Sequence, residues 1–212
     1  MSERQPAPER VKSAYQSEVR RIASRSMEGL AETRLTPTAL TTAGVLTCLL
    51  SAVVVYFEYR NQILFYWLGA ALFVLGSVMD ILDGALARAG GKSTPFGAFI
   101  DSTTDRMGEA AMLAAIGLIF MREGNEVALA FAFAAIVGSM LVSYTRAKAE
   151  ILGLKGDVGL GSRAERVVVI TAGLVLAPWG ALSWAIYLLT ASVWITVGQR
   201  IWSVRSQLRD RR

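Results

Sequence analysis

Four aspartates lie in one short stretch of the sequence, DILDGALARAGGKSTPFGAFIDSTTDR, which runs from Asp80 to Asp105. Asp80 and Asp83 stand three residues apart, and Asp101 and Asp105 stand four apart, so each pair shares one face of a helix. A turn containing Gly and Pro separates the pairs, which predicts two neighbouring antiparallel helices with all four carboxylates at one depth. Oxygen ligands of this kind suit divalent cations. The stretch therefore predicts a metal centre between two helices.

The apolar surroundings of these aspartates strengthen the metal hypothesis. One Asp at the centre of a membrane helix costs about 2.5–3.5 kcal/mol, and less near an end. Two Mg²⁺ ions, with Mn²⁺ as the other possibility, would neutralise the cluster and leave positions open for phosphate oxygens. The alternative is a structural network with Arg88 and Arg106, but two arginines cannot balance four aspartates. A His/Cys site is excluded, because the chain has no His and its one Cys, Cys48, lies in an apolar run.

Residues around the aspartates are suited to hold a phosphate group. Gly84 and Gly97 allow a ligand or a neighbouring backbone to approach closely, and Ala87 keeps its helix face shallow. The planar guanidinium of Arg88 matches phosphate oxygens, and Thr94 adds a hydroxyl donor. Helix packing alone would explain single glycines, so their spacing relative to the aspartates carries the argument.

The rest of the chain predicts an integral membrane protein made of helices. Of its 212 residues, 53% are hydrophobic, which is high for a soluble domain. The net charge of +5 is concentrated beside apolar runs, as expected for contact with anionic lipids and not with nucleic acid. Six runs approach the length needed to cross a bilayer, and a Pro-Trp-Gly turn follows the short fifth one. The predicted spans lie at about 38–57, 62–87, 97–121, 126–147, 166–178 and 181–204.

Charge patterning predicts the domain organisation and the orientation. From 11 to 34 the apolar residues recur mostly every three or four positions, which indicates an amphipathic helix on the membrane surface. We therefore expect a tail and surface helix at 1–34, a six-span membrane domain at 35–205 and a basic tail at 206–212. The loops after the second and fourth runs are richer in Arg and Lys than the others. Both termini and these loops should therefore face the cytoplasm, across the cell membrane.

The aspartate stretch resembles the signature of a known family. The pattern D-x2-D-G-x2-A-R-x8-G-x3-D-x3-D is typical of the CDP-alcohol phosphotransferases, and this chain meets all eight fixed positions. The resemblance covers most of the chain, with a surface helix and six spans. It implies a homodimer with a polar, metal-bearing cavity open to the cytoplasm. The lipid substrate that it implies is CDP-diacylglycerol.

The resemblance also implies a role for each matching residue. Asp80, Asp83 and Asp101 would be metal ligands, and Asp105 would be both a ligand and the general base. The CDP part of the lipid would be held by residues of the signature and by the start of the first span, where Thr38 stands in place of a common Asn. This predicted set comprises Pro37, Thr38, Thr41, Gly84, Ala87, Arg88, Thr94 and Gly97.

A second polar cluster bears on the acceptor alcohol. Lys148, Arg166 and Arg200 come from three spans near the cytoplasmic side, where they would bind a phosphate dianion if they converge. The segment S-Y-x2-A-x-A-E, followed by E-R, resembles the phosphatidylinositol phosphate synthases of actinobacteria and their archaeal counterparts. That resemblance implies inositol phosphate as acceptor, with glycerol 3-phosphate, or another alcohol phosphate, as the alternative.

A non-enzymatic alternative is a divalent-cation transporter, because acidic residues inside a helical bundle also line ion paths. A transporter needs polar groups along a path to both sides of the membrane. Here the acidic groups gather at one side, and the second and third runs are apolar beyond them. The sequence therefore favours the phosphotransferase.

Overall fold

The chain folds as a bundle of long helices, without a β-strand in its described part. The computed structural model describes residues 37–89, 94–159 and 161–211, with the side chains of residues 37–38 and 85–89 excepted. The predicted surface helix at 11–34 lies outside these residues. Each predicted apolar run coincides with one helix. The helices are α1 (Pro37–Tyr56), α2 (Gln62–Ala89), α3 (Pro95–Arg122), α4 (Glu126–Ile151), α5 (Arg163–Val175) and α6 (Leu182–Asp210).

Four of these six helices are long and apolar enough to cross a membrane, namely α1, α2, α4 and α6. α5 has 13 residues, a length of about 20 Å, which is shorter than a hydrocarbon layer of about 30 Å. α3 has 28 residues but carries too many charged side chains in its first half to count as apolar. Six crossings therefore remain a prediction. α6 continues to Asp210, so most of the predicted tail at 206–212 is helical.

Local sequence signals set the helix ends nearest the aspartates. Thr94 caps α3, where its hydroxyl accepts a hydrogen bond from the Gly97 amide at 3.0 Å and Pro95 occupies the first turn. Ser162 caps α5 in a complete capping box with Glu165. The predicted turn after α5 is confirmed as a short 3₁₀ helix, Ala177–Trp179, followed by a left-handed Gly180 with φ of 79°.

α1 determines how the two aspartate-bearing helices are spaced. It packs extensively on both α2 and α3, whereas α2 and α3 touch each other only sparingly. Cys48 of α1 is buried between two glycines: a Cβ on Gly76 would lie 2.6 Å from its Sγ, and a Cβ on Gly108 would lie 2.9 Å from its Cβ. The expectation that α2 and α3 pack directly on each other therefore needs correction, because α1 fills much of the space between them.

A charged and aromatic cluster joins the helices at the end of the bundle away from the aspartates. The Arg122 guanidinium pairs with Glu58, which is buried in the α1–α2 connection. Arg122 also donates a hydrogen bond of 3.2 Å to the Tyr56 carbonyl oxygen and lies 4.8 Å from the centroid of the Tyr59 ring. The cluster ties the end of α3 to the α1–α2 connection.

Candidate active site and metal centre

Three of the four signature aspartates converge at one point. One carboxylate oxygen each from Asp80, Asp101 and Asp105 lie within 4.8 Å of one another. Asp80 comes from the last turns of α2, and the other two come from the first turns of α3. Metal–oxygen bonds of about 2.0–2.6 Å let a single ion contact oxygens separated by such distances. These carboxylates have the arrangement that the sequence predicted for a metal centre.

Asp83, one turn after Asp80 on the same helix, is 2% exposed. Thr41 of α1 lies beside its carboxylate, as expected if the start of α1 lines the site. Within the described residues, Asp80 Oδ1 is buried without a hydrogen-bond partner, while Thr41 and the Gly84 backbone lie at the Asp83 carboxylate. Buried carboxylate oxygens without donors are costly unless a cation compensates them. The donor set therefore fits a divalent metal that binds oxygen ligands.

Arg163, at the start of α5, contacts two of these carboxylates. Its Nη1 donates a hydrogen bond to Asp80, and its Nη2 lies 2.5 Å from Asp105 Oδ1. The sequence interpretation considered only Arg88 and Arg106 as partners. The Arg106 guanidinium instead donates to the Ser102 carbonyl of its own helix, and the Arg88 side chain lies outside the described residues. No local pattern indicates Arg163, because 83 residues separate it from Asp80.

A polar cavity of 610 Å³ opens beside the three carboxylates. Its walls come from α3, α4, the loop that precedes α5, the start of α5 and the last third of α6. Its charged lining is balanced, with five acids and five bases. The lining includes Asp101, Asp105, Glu109, Glu150, Asp157, Arg106, Arg146, Arg163, Arg166 and Arg200.

Two of the three bases predicted for the acceptor meet in this cavity. Arg166 and Arg200 both line it. The Lys148 ammonium instead lies 5.6 Å from the centroid of the Tyr144 ring, and Lys148 is not part of the lining. Arg146 lines the cavity from the same helix. Residues two apart on a helix point in nearly opposite directions, so only one of these two bases can face inward.

Arg166 and Arg200 are both buried but have different partners. Arg166 forms a bidentate ion pair with Glu109, with distances of 2.7 and 2.8 Å from Nε and Nη2. Arg200 donates to two backbone carbonyls, that of Val158 at 2.9 Å and that of Val142. Among the described residues, no carboxylate forms an ion pair with Arg200. Its charge therefore lacks a direct counterion in the cavity wall, which favours an anionic ligand.

The residues predicted to hold CDP lie mainly around the ends of α2 and α3. Gly84 follows Asp83 directly in α2. The Thr94 hydroxyl is engaged by the Gly97 amide, and a Cβ on Gly97 would lie 3.1 Å from it, which is close. The side chains of Pro37, Thr38, Ala87 and Arg88 lie outside the described residues. The roles of this set remain predictions.

Comparison with known proteins agrees with this geometry. The family model for CDP-alcohol phosphatidyltransferase matches residues 34–202. The archaetidylinositol phosphate synthase of Pyrococcus horikoshii is 36% identical over 181 residues, covering 84% of this chain and 88% of that protein. The phosphatidylinositol phosphate synthase of Cutibacterium acnes is 36% identical over 190 residues, covering 84% and 89%.

Solved structures of one relative share the fold. The phosphatidylinositol phosphate synthase of Mycobacterium tuberculosis with CDP-DAG bound superposes with a TM-score of 0.76 at 29% identity, over 87% of this chain and 94% of that one. The same protein in complex with manganese and citrate gives 0.75 at 28% identity, over 86% and 88%. The signature, the helical bundle and these matches together show that the chain is a multi-pass membrane enzyme of the CDP-alcohol phosphatidyltransferase family.

Proposed function

We propose that this enzyme transfers the phosphatidyl group of CDP-diacylglycerol to inositol phosphate, releasing CMP and forming phosphatidylinositol phosphate. The observation that carries the acceptor assignment is Arg200, a buried arginine without a carboxylate partner in the described residues, in a cavity shared with the aspartates. The phosphate of an alcohol phosphate supplies the direct partner that this guanidinium lacks in the described residues, whereas a neutral alcohol does not. Relatives named for phosphatidylinositol phosphate and archaetidylinositol phosphate synthesis support inositol phosphate as that acceptor.

The aspartates would hold the metal. We propose two Mg²⁺ ions, or Mn²⁺, on oxygens of Asp80, Asp83, Asp101 and Asp105. When bound, such ions neutralise the charge of the pyrophosphate and of the departing CMP. Asp80 Oδ1, which is buried without a hydrogen-bond donor among the described residues, supports this assignment.

Asp105 is the proposed general base. It lines the cavity and also belongs to the three-carboxylate cluster, so an acceptor in the cavity reaches it directly. Its carboxylate takes the proton of the acceptor hydroxyl as that oxygen attacks the phosphorus on the lipid side. The bond from this phosphorus to the bridging oxygen breaks, and CMP leaves with the bonding electrons.

The arginines around the cavity are the proposed acceptor site. Arg200 lines the cavity without an ion-paired carboxylate in the described residues. The other arginines of the proposed site line the same cavity and each pair with a carboxylate: Arg146 with Glu150, Arg163 with Asp80 and Asp105, and Arg166 with Glu109. Lys148 and Arg166 were predicted from the sequence for the same role. Because Arg146 lines the cavity and Lys148 does not, we assign the phosphate-binding role on α4 to Arg146. A guanidinium fork binds phosphate oxygens in pairs, which gives both affinity and orientation.

The CDP part of the lipid is proposed to lie on the signature side of the carboxylates. Gly84, Ala87, Arg88, Thr94 and Gly97 would contact it, together with Pro37, Thr38 and Thr41 at the start of α1. The position of Thr41 beside the Asp83 carboxylate supports this, because it brings the first helix to the metal centre.

Six crossings with both termini and the site in the cytoplasm are the proposed topology of the cell-membrane enzyme, with a homodimer as its assembly. The cavity is lined by the first half of α3, the end of α4, the start of α5 and the last third of α6. These segments alternate in direction along the chain. Their meeting at one cavity supports a topology in which α3 to α6 each run between the two ends of the bundle.

The acceptor site can be tested by substitution. Arg146→Ala and Arg200→Ala should each raise the KM for inositol phosphate about 10–150-fold, because a charge-assisted contact contributes about 1.5–3 kcal/mol. The KM for CDP-diacylglycerol should change less than about threefold, because other residues bind that lipid. Steady-state kinetics on purified protein in mixed micelles measures both constants. Free inositol should be a poor acceptor, because it lacks the phosphate that these arginines bind.

Arg205→Ala is the matched control, because Arg205 lies on α6 beyond the cavity and its guanidinium is 6.0 Å from the Trp202 ring centroid. It should leave both constants unchanged. The same assay on Lys148→Ala decides between the lysine predicted from sequence and Arg146. If the unmodified enzyme used glycerol 3-phosphate faster than inositol phosphate, the acceptor assignment would be wrong while the metal chemistry stood.

A further inference from the structure

Residues 152–159, between α4 and α5, form an irregular strap that lies along the end of α6. Because an irregular segment cannot pair its backbone within a helix or a sheet, its polar backbone groups need partners elsewhere. At the beginning of the strap, Arg211 Nη2 donates to the Gly153 carbonyl oxygen at 2.6 Å. Two further side chains of α6 contact the strap backbone, namely Gln207 and Arg200. Side chains of α6 therefore hold the strap in place.

Gln207 binds both backbone groups of one strap residue. The Lys155 amide donates to Gln207 Oε1 at 2.9 Å, and Gln207 Nε2 donates to the Lys155 carbonyl oxygen at 3.0 Å. Nε2 also donates to the Ser203 hydroxyl, one turn earlier on α6, at 3.1 Å. A side-chain amide offers an acceptor and a donor side by side, so it pairs with a peptide group as a carboxylate or an ammonium cannot.

The contacts follow one register along α6. Arg200 and Gln207 stand seven residues apart, so they share a helix face and lie about 10 Å apart along the axis. Lys155 and Val158, which they contact, stand three residues apart, and three residues of extended chain also span about 10 Å. The strap is therefore extended between these two points and runs antiparallel to α6. Since an extended segment has little slack, a displacement of Lys155 also moves Val158.

The strap holds the arginine that is proposed to bind the acceptor phosphate. Arg200 Nε donates to the Val158 carbonyl oxygen at 2.9 Å, and its Nη1 donates to the Val142 carbonyl of α4. Asp157 and Gly159, on either side of Val158, line the cavity. The two carbonyls determine the direction in which the Arg200 guanidinium faces the cavity.

Another part of the strap packs on α4. Gly156 is buried, and a Cβ there would lie 3.0 Å from the Arg146 carbonyl oxygen and 3.0 Å from the Ala149 Cβ. Leu154 is also buried, and its amide donates to the Ala149 carbonyl oxygen at 2.9 Å. The strap thus packs against both α4 and α6, the helices that carry Arg146 and Arg200.

We propose that Gln207 is a positioning residue for the acceptor site: it fixes the strap, and the strap orients the Arg200 guanidinium for the acceptor phosphate. This inference rests on the proposed function, because it takes Arg200 as a ligand of that phosphate. It extends the site to a side chain that is not part of the cavity lining and that lies two helical turns from Arg200.

Gln207→Met tests the proposal. Methionine has nearly the length and volume of glutamine but forms neither hydrogen bond with the Lys155 backbone. Loss of both should raise the KM for the alcohol phosphate about fivefold or more, while the KM for CDP-diacylglycerol changes less than about threefold. Hydrogen exchange followed by mass spectrometry should be about tenfold faster in the peptide that covers 153–159, because the Lys155 amide loses its acceptor.

Arg209→Ala is the matched control. Arg209 lies two residues further on α6, is exposed and forms an ion pair of 3.8 Å with its neighbour Asp210. Its replacement should change neither KM, and exchange in the strap should stay at the rate of the unmodified enzyme.

A double-mutant cycle distinguishes positioning from a general structural effect. If Gln207 acts through Arg200, Gln207→Met should raise the KM for the alcohol phosphate less than about twofold once Arg200 is replaced by Ala. A structural effect that is independent of Arg200 would instead add in full to the effect of Arg200→Ala.

A second variant displaces the strap with Gln207 intact. Gly156→Val places a branched side chain where even a Cβ is only 3.0 Å from the Arg146 carbonyl oxygen. The strap must then move away from α4, so the KM for the alcohol phosphate should rise while that for CDP-diacylglycerol stays within about threefold. If Gln207→Met fails to fold, this variant decides the question, and an unchanged acceptor KM would contradict the proposal.

Three results with Gln207→Met would overturn the proposal: unchanged exchange in the strap, an equal rise of both KM values, or full additivity in the cycle. Failure of the proposed acceptor site has a different signature, because Arg200→Ala alone would then leave the acceptor KM unchanged. The kinetic measurements use whichever alcohol phosphate the unmodified enzyme accepts. A wrong assignment of inositol phosphate therefore does not affect the test of the strap.

Discussion

Asp101→Asn should abolish turnover, with a loss of about 10³-fold or more. Asp101 is one of three residues whose carboxylate oxygens lie within 4.8 Å of one another, and an amide is a much weaker ligand than a carboxylate for a hard divalent cation. Loss of metal-dependent charge stabilisation amounts to several kcal/mol, and each 1.4 kcal/mol is tenfold in rate. Chelation with EDTA should have the same effect on the unmodified enzyme, and added Mg²⁺ or Mn²⁺ should restore it.

The measurement is CMP release from CDP-diacylglycerol at several metal concentrations. Asp80→Asn should behave in the same way, because its carboxylate belongs to the same cluster from the other helix. Asp210→Asn, at the exposed end of α6, is the control and should keep full activity and the same metal dependence. Undiminished turnover in EDTA would rule out the metal-centred reaction.

Asp105→Asn should reduce kcat by about 10²–10⁴-fold, the usual contribution of a positioned general base. The amide cannot accept the proton of the acceptor hydroxyl, while Asp80 and Asp101 still provide metal ligands. CDP-diacylglycerol should therefore remain bound with nearly the same affinity. Single-turnover rates combined with equilibrium binding of the lipid measure the two effects separately.

A comparison of Asp105→Asn with Asp101→Asn distinguishes the general-base role from the metal-ligand role. Mn²⁺ binding followed by electron paramagnetic resonance should weaken more in Asp101→Asn than in Asp105→Asn, whereas both lose turnover. If Asp105→Asn kept a near-normal rate at saturating metal, the proton would have to be accepted by another group.

The aspartate cluster is predictable from sequence because its members are close in sequence and lie on regular helices. Spacings of three and four residues determine the helix face, and a short turn brings the next helix back to the same depth. That reasoning correctly brings Asp80, Asp101 and Asp105 together. Continuing the four-residue spacing from Asp101 and Asp105 leads to Glu109, which sequence reasoning missed although the signal was present.

Other features depend on tertiary packing that no spacing rule reveals. Arg163 meets Asp80 only because α5 packs beside the end of α2, far along the chain. Arg146 and Lys148 both carry a positive charge and stand two residues apart, so the rotation of α4 decides which one faces the cavity. Likewise, an apolar first span gives no sign that its Cys48 will lie between α2 and α3.

Because Cys48 is buried, we expect the native enzyme to react only slowly with thiol reagents. It is the only cysteine in the sequence, and it is 6% exposed in its position between two glycines. A cysteine introduced at the surface would therefore be the single site of thiol labelling, and Cys48 need not be replaced first. Glu123→Cys and Leu152→Cys introduce labelling sites near opposite ends of α4, both at exposed positions. In the proposed orientation, a membrane-impermeant maleimide added to intact cells should label the cysteine at position 123. It should label the cysteine at position 152 only after the membrane is permeabilised. The reverse pattern would place the catalytic cavity on the outer face of the membrane.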